Sequence, residues 1–149
     1  MADTTTPPTK TPWHLWVVGV LSLLWNAMGA LDFTMTQMRN GAYLKALTPA
    51  QLEYVYGFPL WAVVAWGVAT WGSVVGSVLL LARRKLTVPV NLTVLIAMIP
   101  TFTYNYILSD GLKIMGGGIG SLTFTATIVL IGVLLLIYAR VMRKRGVLR

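Results

Sequence analysis

The chain has 149 residues, 56% of them hydrophobic and only 11% charged, whereas soluble domains carry about 25% charged residues. With a mean hydropathy of +0.73, this is the composition of an integral membrane protein. The formal net charge of +8 collects at predicted helix ends and finds no hydrophilic surface on which a nucleic acid could lie, so no nucleic-acid partner is expected. A chain without cysteine and with His14 as its one histidine excludes disulfides, thiolate metal sites and a histidine metal cluster.

At about 20 residues per span, the apolar stretches between Trp13 and Tyr138 accommodate four helices, with no room for a separate soluble domain. The predicted fold is all-α: a four-transmembrane-helix bundle with a short interfacial helix between the first and second spans. Residues 1–12, MADTTTPPTKTP, are almost free of apolar side chains and predict a disordered cytoplasmic tail. One lysine, a long apolar run behind it and no A-x-A site argue against a cleaved signal peptide. The first span, residues 13–38, opens with Trp13, His14 and Trp16 at headgroup depth. Gly19, Ser22, Asn26, Gly29 and Phe33 follow at helical spacing and form a face of low bulk. Asn26 falls inside the hydrocarbon and Asp32 near its far boundary, about 120° apart around Gly29.

In the connection that follows, Asn40-Gly41 signals a turn, and Thr48-Pro49 with Gln51 has the form of a capped helix start. A short interfacial helix is predicted from Pro49 to Tyr56. The second span, residues 58–82, is the predicted packing spine. Ala65, Ala69, Ser73 and Ser77 recur every four residues beside Gly72 and Gly76, and a helix face without bulk suits a neighbouring helix rather than lipid. Its expected neighbour is the first span. Trp61 reads as an interface anchor and Trp66 and Trp71 as packing residues, with a sugar-stacking platform as the other reading. Arg83, Arg84 and Lys85 end the span and set its orientation.

Pro89 sits in the first turn of the third span, residues 88–108, where proline is tolerated. Pro100 removes a backbone hydrogen bond and crowds the Ile96 carbonyl, which predicts a kink. Ala97, Thr101 and Asn105 form a row that supplies hydroxyl and amide groups inside the bundle. Ser109-Asp110-Gly111 makes a turn. The glycines at 116–118 and 120 read as a flexible turn, because they lack the Lys-Ser/Thr ending of a phosphate-binding loop. The last span is predicted over residues 119–138, followed by a basic cytoplasmic tail, 140–149. Counting Lys and Arg on alternate sides gives nine on the side of the chain ends against three on the other. The imbalance predicts a multi-pass protein with both termini cytoplasmic, and it leaves the sequon at Asn91 on the wrong face for glycosylation.

For Asp32, two readings stand. A carboxylate at the centre of a span costs about 2.5–3.5 kcal/mol, so it is either shallow and wet, or paired with Arg39, or it lines a cavity. In the cavity reading Asp32, Asn26, Asn105 and Asp110 form an outward-facing polar pocket for a small hydrophilic solute or a proton. Two carboxylates with amides are too few for a metal site. No nucleophile with a base, no paired carboxylates around a water and no redox ligand set appears, so neither enzymatic activity nor a cofactor is expected.

LWNAMGALDFTMTQMRNGAYL (24–44), TPAQLEYVYGFPLW (48–61) and WGSVVGSVLLLARRKLTVP (71–89) together resemble a family of small four-helix bacterial inner-membrane proteins, whose members are left as hypothetical or labelled sugar transporters. The resemblance covers most of the chain after its first residues and implies a four-span fold and a link to transport, with no site residues to carry over. Two functional classes follow. One is a non-catalytic accessory or interaction bundle within a larger membrane complex; the other is a small-solute transporter, possible for a bundle this small only as a homo-oligomer. Polar groups confined to the outer half, with Asn91 the only strongly polar residue of the inner half, favour the accessory bundle.

Overall fold

Four apolar runs become helices long enough to cross a membrane, and the chain is a multi-pass membrane protein. The structure, a computed structural model, describes residues 10–149. Its elements are α1 (Trp13–Gln37), α2 (Gly41–Leu44), α3 (Pro49–Tyr56), α4 (Leu60–Leu81), α5 (Thr87–Thr103), a π-helical turn at Tyr104–Leu108 that continues α5, α6 (Gly111–Ile114) and α7 (Ile119–Lys144). The spans in α1, α4, α5 with its π turn, and α7 have 25, 22, 22 and 26 residues; even the shorter ones reach about 33 Å at 1.5 Å per residue, enough for a core of about 30 Å. The interfacial helix stands where it was expected, as α3, with Thr48 accepting from the Gln51 amide and the Gln51 side chain accepting from the Thr48 amide. Among the described residues α2 and α6 are additional single turns in the connections.

The expected spine is the central helix. α4 packs extensively on both α1 and α5, and α7 packs on α5. α1 and α7 meet through side chains at two levels: His14 Nδ1 lies 2.5 Å from the Tyr138 hydroxyl, and the Trp25 and Phe124 rings lie 6.3 Å apart. Successive spans are therefore neighbours, the up-down arrangement that short connections produce.

The small residues of α4 serve two partners rather than one. Toward α1, the Asn26 amide donates to the Ser77 hydroxyl at 2.9 Å and to the Ser73 carbonyl at 3.3 Å, and Ala69 and Ser77 are buried. Toward α5, a Cβ on Gly72 would stand 2.9 Å from Val94, and one on Gly76 would stand 2.2 Å from the Asn91 amide oxygen. Gly19 of α1 likewise makes room for Leu81, 2.4 Å from where its Cβ would be. Ala65 is half-buried. Gly29 is different: nothing lies within 4 Å of the position its Cβ would take, so it is not a close-packing glycine here.

The helix ends divide the described residues into a basic end, carrying the start of α1, the 83–86 turn and the residues after α7, and a loop end, carrying α2, α3 and α6. At the basic end α7 continues past its expected stop at Tyr138 to Lys144. The remaining residues do not run free as a tail. Gly146 adopts a left-handed φ of 70°, its amide bonds the Arg143 carbonyl and the Val147 amide bonds the Met142 carbonyl, both at 3.0 Å, which is a Schellman C-cap. The chain thereby reverses, and Val147 and Leu148 enter the core with Leu15, Leu80, Val88, Leu136, Ala139 and Met142. Two backbone bonds pin it there: Lys85 N to the Arg149 carbonyl at 2.9 Å, and Arg149 N to the Arg83 carbonyl at 2.7 Å. The cations of this segment predict a surface tail, but the Val147-Leu148 pair among them is buried.

Arg83 and Arg39 hold the same position, the residue after the C-caps Ala82 and Met38 of α4 and α1, with φ of 55° and 52°. Each closes a Schellman pair of backbone bonds, to Leu80 and Leu79 after α4 and to Thr36 and Met35 after α1. A left-handed arginine costs about 1–2 kcal/mol relative to the ordinary conformation, and each is held by its side chain: Arg83 donates to the Thr11 hydroxyl, and the Arg39 guanidinium lies 4.5 Å from the centre of the Tyr56 ring.

Candidate functional site

The densest grouping of polar and aromatic side chains is at the loop end, where α3 lies over the end of α5. Proline at 100 cannot donate to the Ile96 carbonyl, and at Tyr104 the helical ladder widens to π geometry, a form concentrated at functional sites. Side chains support the widened turn. The Asn105 amide donates to the Thr101 carbonyl at 2.9 Å and the Ser109 hydroxyl to the Tyr104 carbonyl at 2.7 Å.

From α3, the Tyr54 hydroxyl donates to Asn105 Oδ1 at 2.9 Å and lies 2.8 Å from the Ser109 hydroxyl. Partial burial raises this phenol above its ordinary value, which keeps it a neutral donor. Rings enclose the network: Phe58 lies 5.2 Å from Tyr54 and 4.8 Å from Tyr104, and Trp61 lies 5.7 Å from Tyr104. Phe33 of α1 and Trp66 of α4 extend the cluster, 5.0 Å apart and edge to face. Gly111 is required by the same packing, since a Cβ there would stand 2.1 Å from the Tyr54 hydroxyl and 2.7 Å from the Asn105 carbonyl.

The four residues expected to share an outward pocket are found in separate places. Asn26 joins α1 to α4. Asp32 is exposed on α1 and accepts from the Tyr43 hydroxyl at 2.9 Å, not from Arg39, which turns to Tyr56; the bond raises the Tyr43 phenol. Asn105 belongs to the α3–α5 network. Asp110 forms an exposed ion pair with Lys113 at 3.1 Å. Turn geometry explains the redistribution, because α2 swings Tyr43 over Asp32 while the left-handed Arg39 points its side chain elsewhere.

The expected Ala97-Thr101-Asn105 row exists, but it closes on its own helix, Thr101 donating to the Ala97 carbonyl at 3.2 Å and Asn105 to Thr101. Ser73, Ser77, Thr34 and Thr127 also donate four residues back, the usual way a hydroxyl is satisfied in lipid. Across helices, Tyr106 and Thr125 join α5 to α7 at 2.5 Å. Among the described residues no group of three acidic or histidine side chains is placed to hold a metal ion.

Of the three tryptophans of α4, Trp66 is a packing residue, whereas Trp61 and Trp71 are about half exposed, at 47% and 50%. Trp71 forms one rim of a groove of about 240 Å³ between α1 and α4, with Ala27, Ala30, Leu31 and Thr34 as its floor and Val74 beside it. The sequence carries its signal, small residues at i, i+3 and i+7 from Ala27, on the face that adjoins the Gly29 face. Tyr54 reads from sequence as one of several headgroup residues, although five aromatic residues fall between positions 54 and 66. No family model, no curated protein and no solved structure matches this chain.

Proposed function

We propose that the protein is a non-catalytic interaction bundle that binds a helix of a larger membrane complex through the α1–α4 groove. The observation that supports this reading is a groove of small residues left over once the bundle has closed: Ala27 is exposed, Ala30 is buried at the groove floor, Thr34 is half-buried one turn further on, and Trp71 offers a flat wall opposite. In lipid, close approach of backbones and packing drive helix association, and small residues permit it. The transporter reading asks for a polar path, whereas Asn26 is bonded to α4, Asn105 to Tyr54 and its own helix, and the hydroxyls of Ser73, Ser77 and Thr101 to their own helices.

The distribution of cations supports an orientation with the basic end in the cytoplasm. Cysteine introduced at Leu86, exposed at the basic end, should be shielded from an impermeant reagent in intact cells, and cysteine at Met115, exposed at the loop end, should be labelled. The reverse pattern inverts the protein. Native mass spectrometry after gentle detergent extraction tests the function itself. A larger subunit should co-purify with the parent chain and be lost in Ala27→Leu, which fills the groove from an exposed position without touching the core. Retention of the same subunit by Ala27→Leu rejects the groove, and a homo-oligomer carrying solute-dependent uptake rejects the class.

A further inference from the structure

A second groove, of about 560 Å³, lies at the basic end between α1 and α7. It is built mostly from α7, with Ile131, Leu134, Leu135 and Tyr138 facing His14 and Val18 of α1, and Arg145 stands at its mouth. We propose that this groove is a binding site for an anionic phospholipid of the surrounding leaflet, one acyl chain in the apolar trough and the phosphate at Arg145. The site is distinct from the α1–α4 groove and does not depend on it.

Its depth argues for an acyl chain over a partner helix. Ile131 and Arg145 are separated by about 21 Å along α7 at 1.5 Å per residue, and from Tyr138 inward the trough continues for about 10 Å, within the roughly 15 Å that one leaflet contributes to the hydrocarbon core. A transmembrane helix needs contact across the whole thickness. The trough ends instead within one leaflet, because beyond it Trp25 and Phe124 meet across α1 and α7.

The mouth is complementary to a phosphate in three ways. Arg145 supplies a permanent cation with a fork of donors, in a segment that also carries Arg143 and Lys144. α1 starts beside it at Trp13, with Pro12 at the cap position and no side-chain cap on its first turn, so the positive end of the helix dipole is left for an anion. His14 and Tyr138, hydrogen bonded to each other, line the wall between headgroup and chain and bring polar side chains to the depth of the phosphate. Basic pockets between spans are a recognised means of holding anionic lipid.

The test uses the full chain in nanodiscs of phosphatidylcholine with a minor fraction of phosphatidylglycerol, released into a mass spectrometer so that retained lipid is counted by class. The parent should retain phosphatidylglycerol in preference to phosphatidylcholine. Arg145→Gln should reduce the retained phosphatidylglycerol about fivefold, the ordinary value of one cation at a membrane surface, while Arg140→Gln, an exposed cation outside the groove, should leave it unchanged. Leu134→Trp, which fills the trough from a position 53% exposed, should abolish retention of either lipid with helix content and melting temperature unaltered. Equal effects of Arg145→Gln and Arg140→Gln reduce the site to general surface charge and overturn the proposal. Retention that survives Leu134→Trp, or a dimer of this chain that Leu134→Trp dissolves, also overturns it.

Discussion

The two ends of the bundle are closed by different chemistry. The basic end is closed by aliphatic side chains and backbone: Leu15, Leu80, Met142 and Leu148 are almost fully buried, and the strand-like contact between residues 83–85 and Arg149 uses only main-chain atoms. The loop end is closed by side-chain hydroxyls, one amide and aromatic rings, centred on Tyr54. An aliphatic closure is lost in proportion to volume removed, whereas a hydroxyl network fails on the loss of a single atom. The basic end is thus a clamp of buried aliphatic side chains, and the loop end a polar and aromatic closure that holds the π turn, α3 and the half-exposed Trp61.

The largest effect is expected from the clamp. Leu148→Ala removes a side chain that is 1% exposed and should cost about 2–5 kcal/mol, read as a fall in melting temperature in detergent; a silent Leu148→Ala would show that the last residues do not dock. At the loop end Tyr54→Phe keeps the ring contacts and leaves the Asn105 oxygen without its phenol donor, a loss of about 1–3 kcal/mol. If that variant melts with the parent, the network is ornamental and the contrast between the ends disappears. Gly146→Ala must keep a left-handed φ with a side chain, costing about 1 kcal/mol, and it should loosen the clamp without changing the fluorescence of the tryptophans at the loop end.

The smallest effects belong to the acids. Asp32→Asn and Asp110→Asn replace exposed groups and should each change stability by less than about 0.5 kcal/mol. They separate in a second measurement. The Tyr43 phenol is held above its ordinary value mainly by its bond to Asp32, so its contribution is present below the unfolded tyrosine value and is lost as pH rises through the folded one. Asp32→Asn should bring tyrosine ionisation, followed by alkaline absorbance, to lower pH, and Asp110→Asn should not. A marked loss of membrane protein level in Asp32→Asn alone would restore a buried role for that carboxylate.

The four spans, the α3 start at Thr48 and the small-residue spine at Ala69 to Ser77 were legible from the residues alone. These are local properties: apolar length, a capping box and spacing along one helix are complete within a few turns of chain. Which neighbour each small residue meets was decided only in three dimensions, with Ser73 and Ser77 turned to α1, Gly72 and Gly76 to α5, and Gly29 to none. The same holds for the polar groups. Asn26, Asp32, Asn105 and Asp110 shared the outer half by residue count, but a hydrogen bond depends on side-chain direction, and that direction is set by helix rotation, the α2 turn and the π register after Pro100. The burial of Val147 and Leu148 needed tertiary structure most of all, because a two-residue apolar pair among cations becomes core only when the Gly146 reversal brings it onto Leu15 and Leu80, far away along the chain.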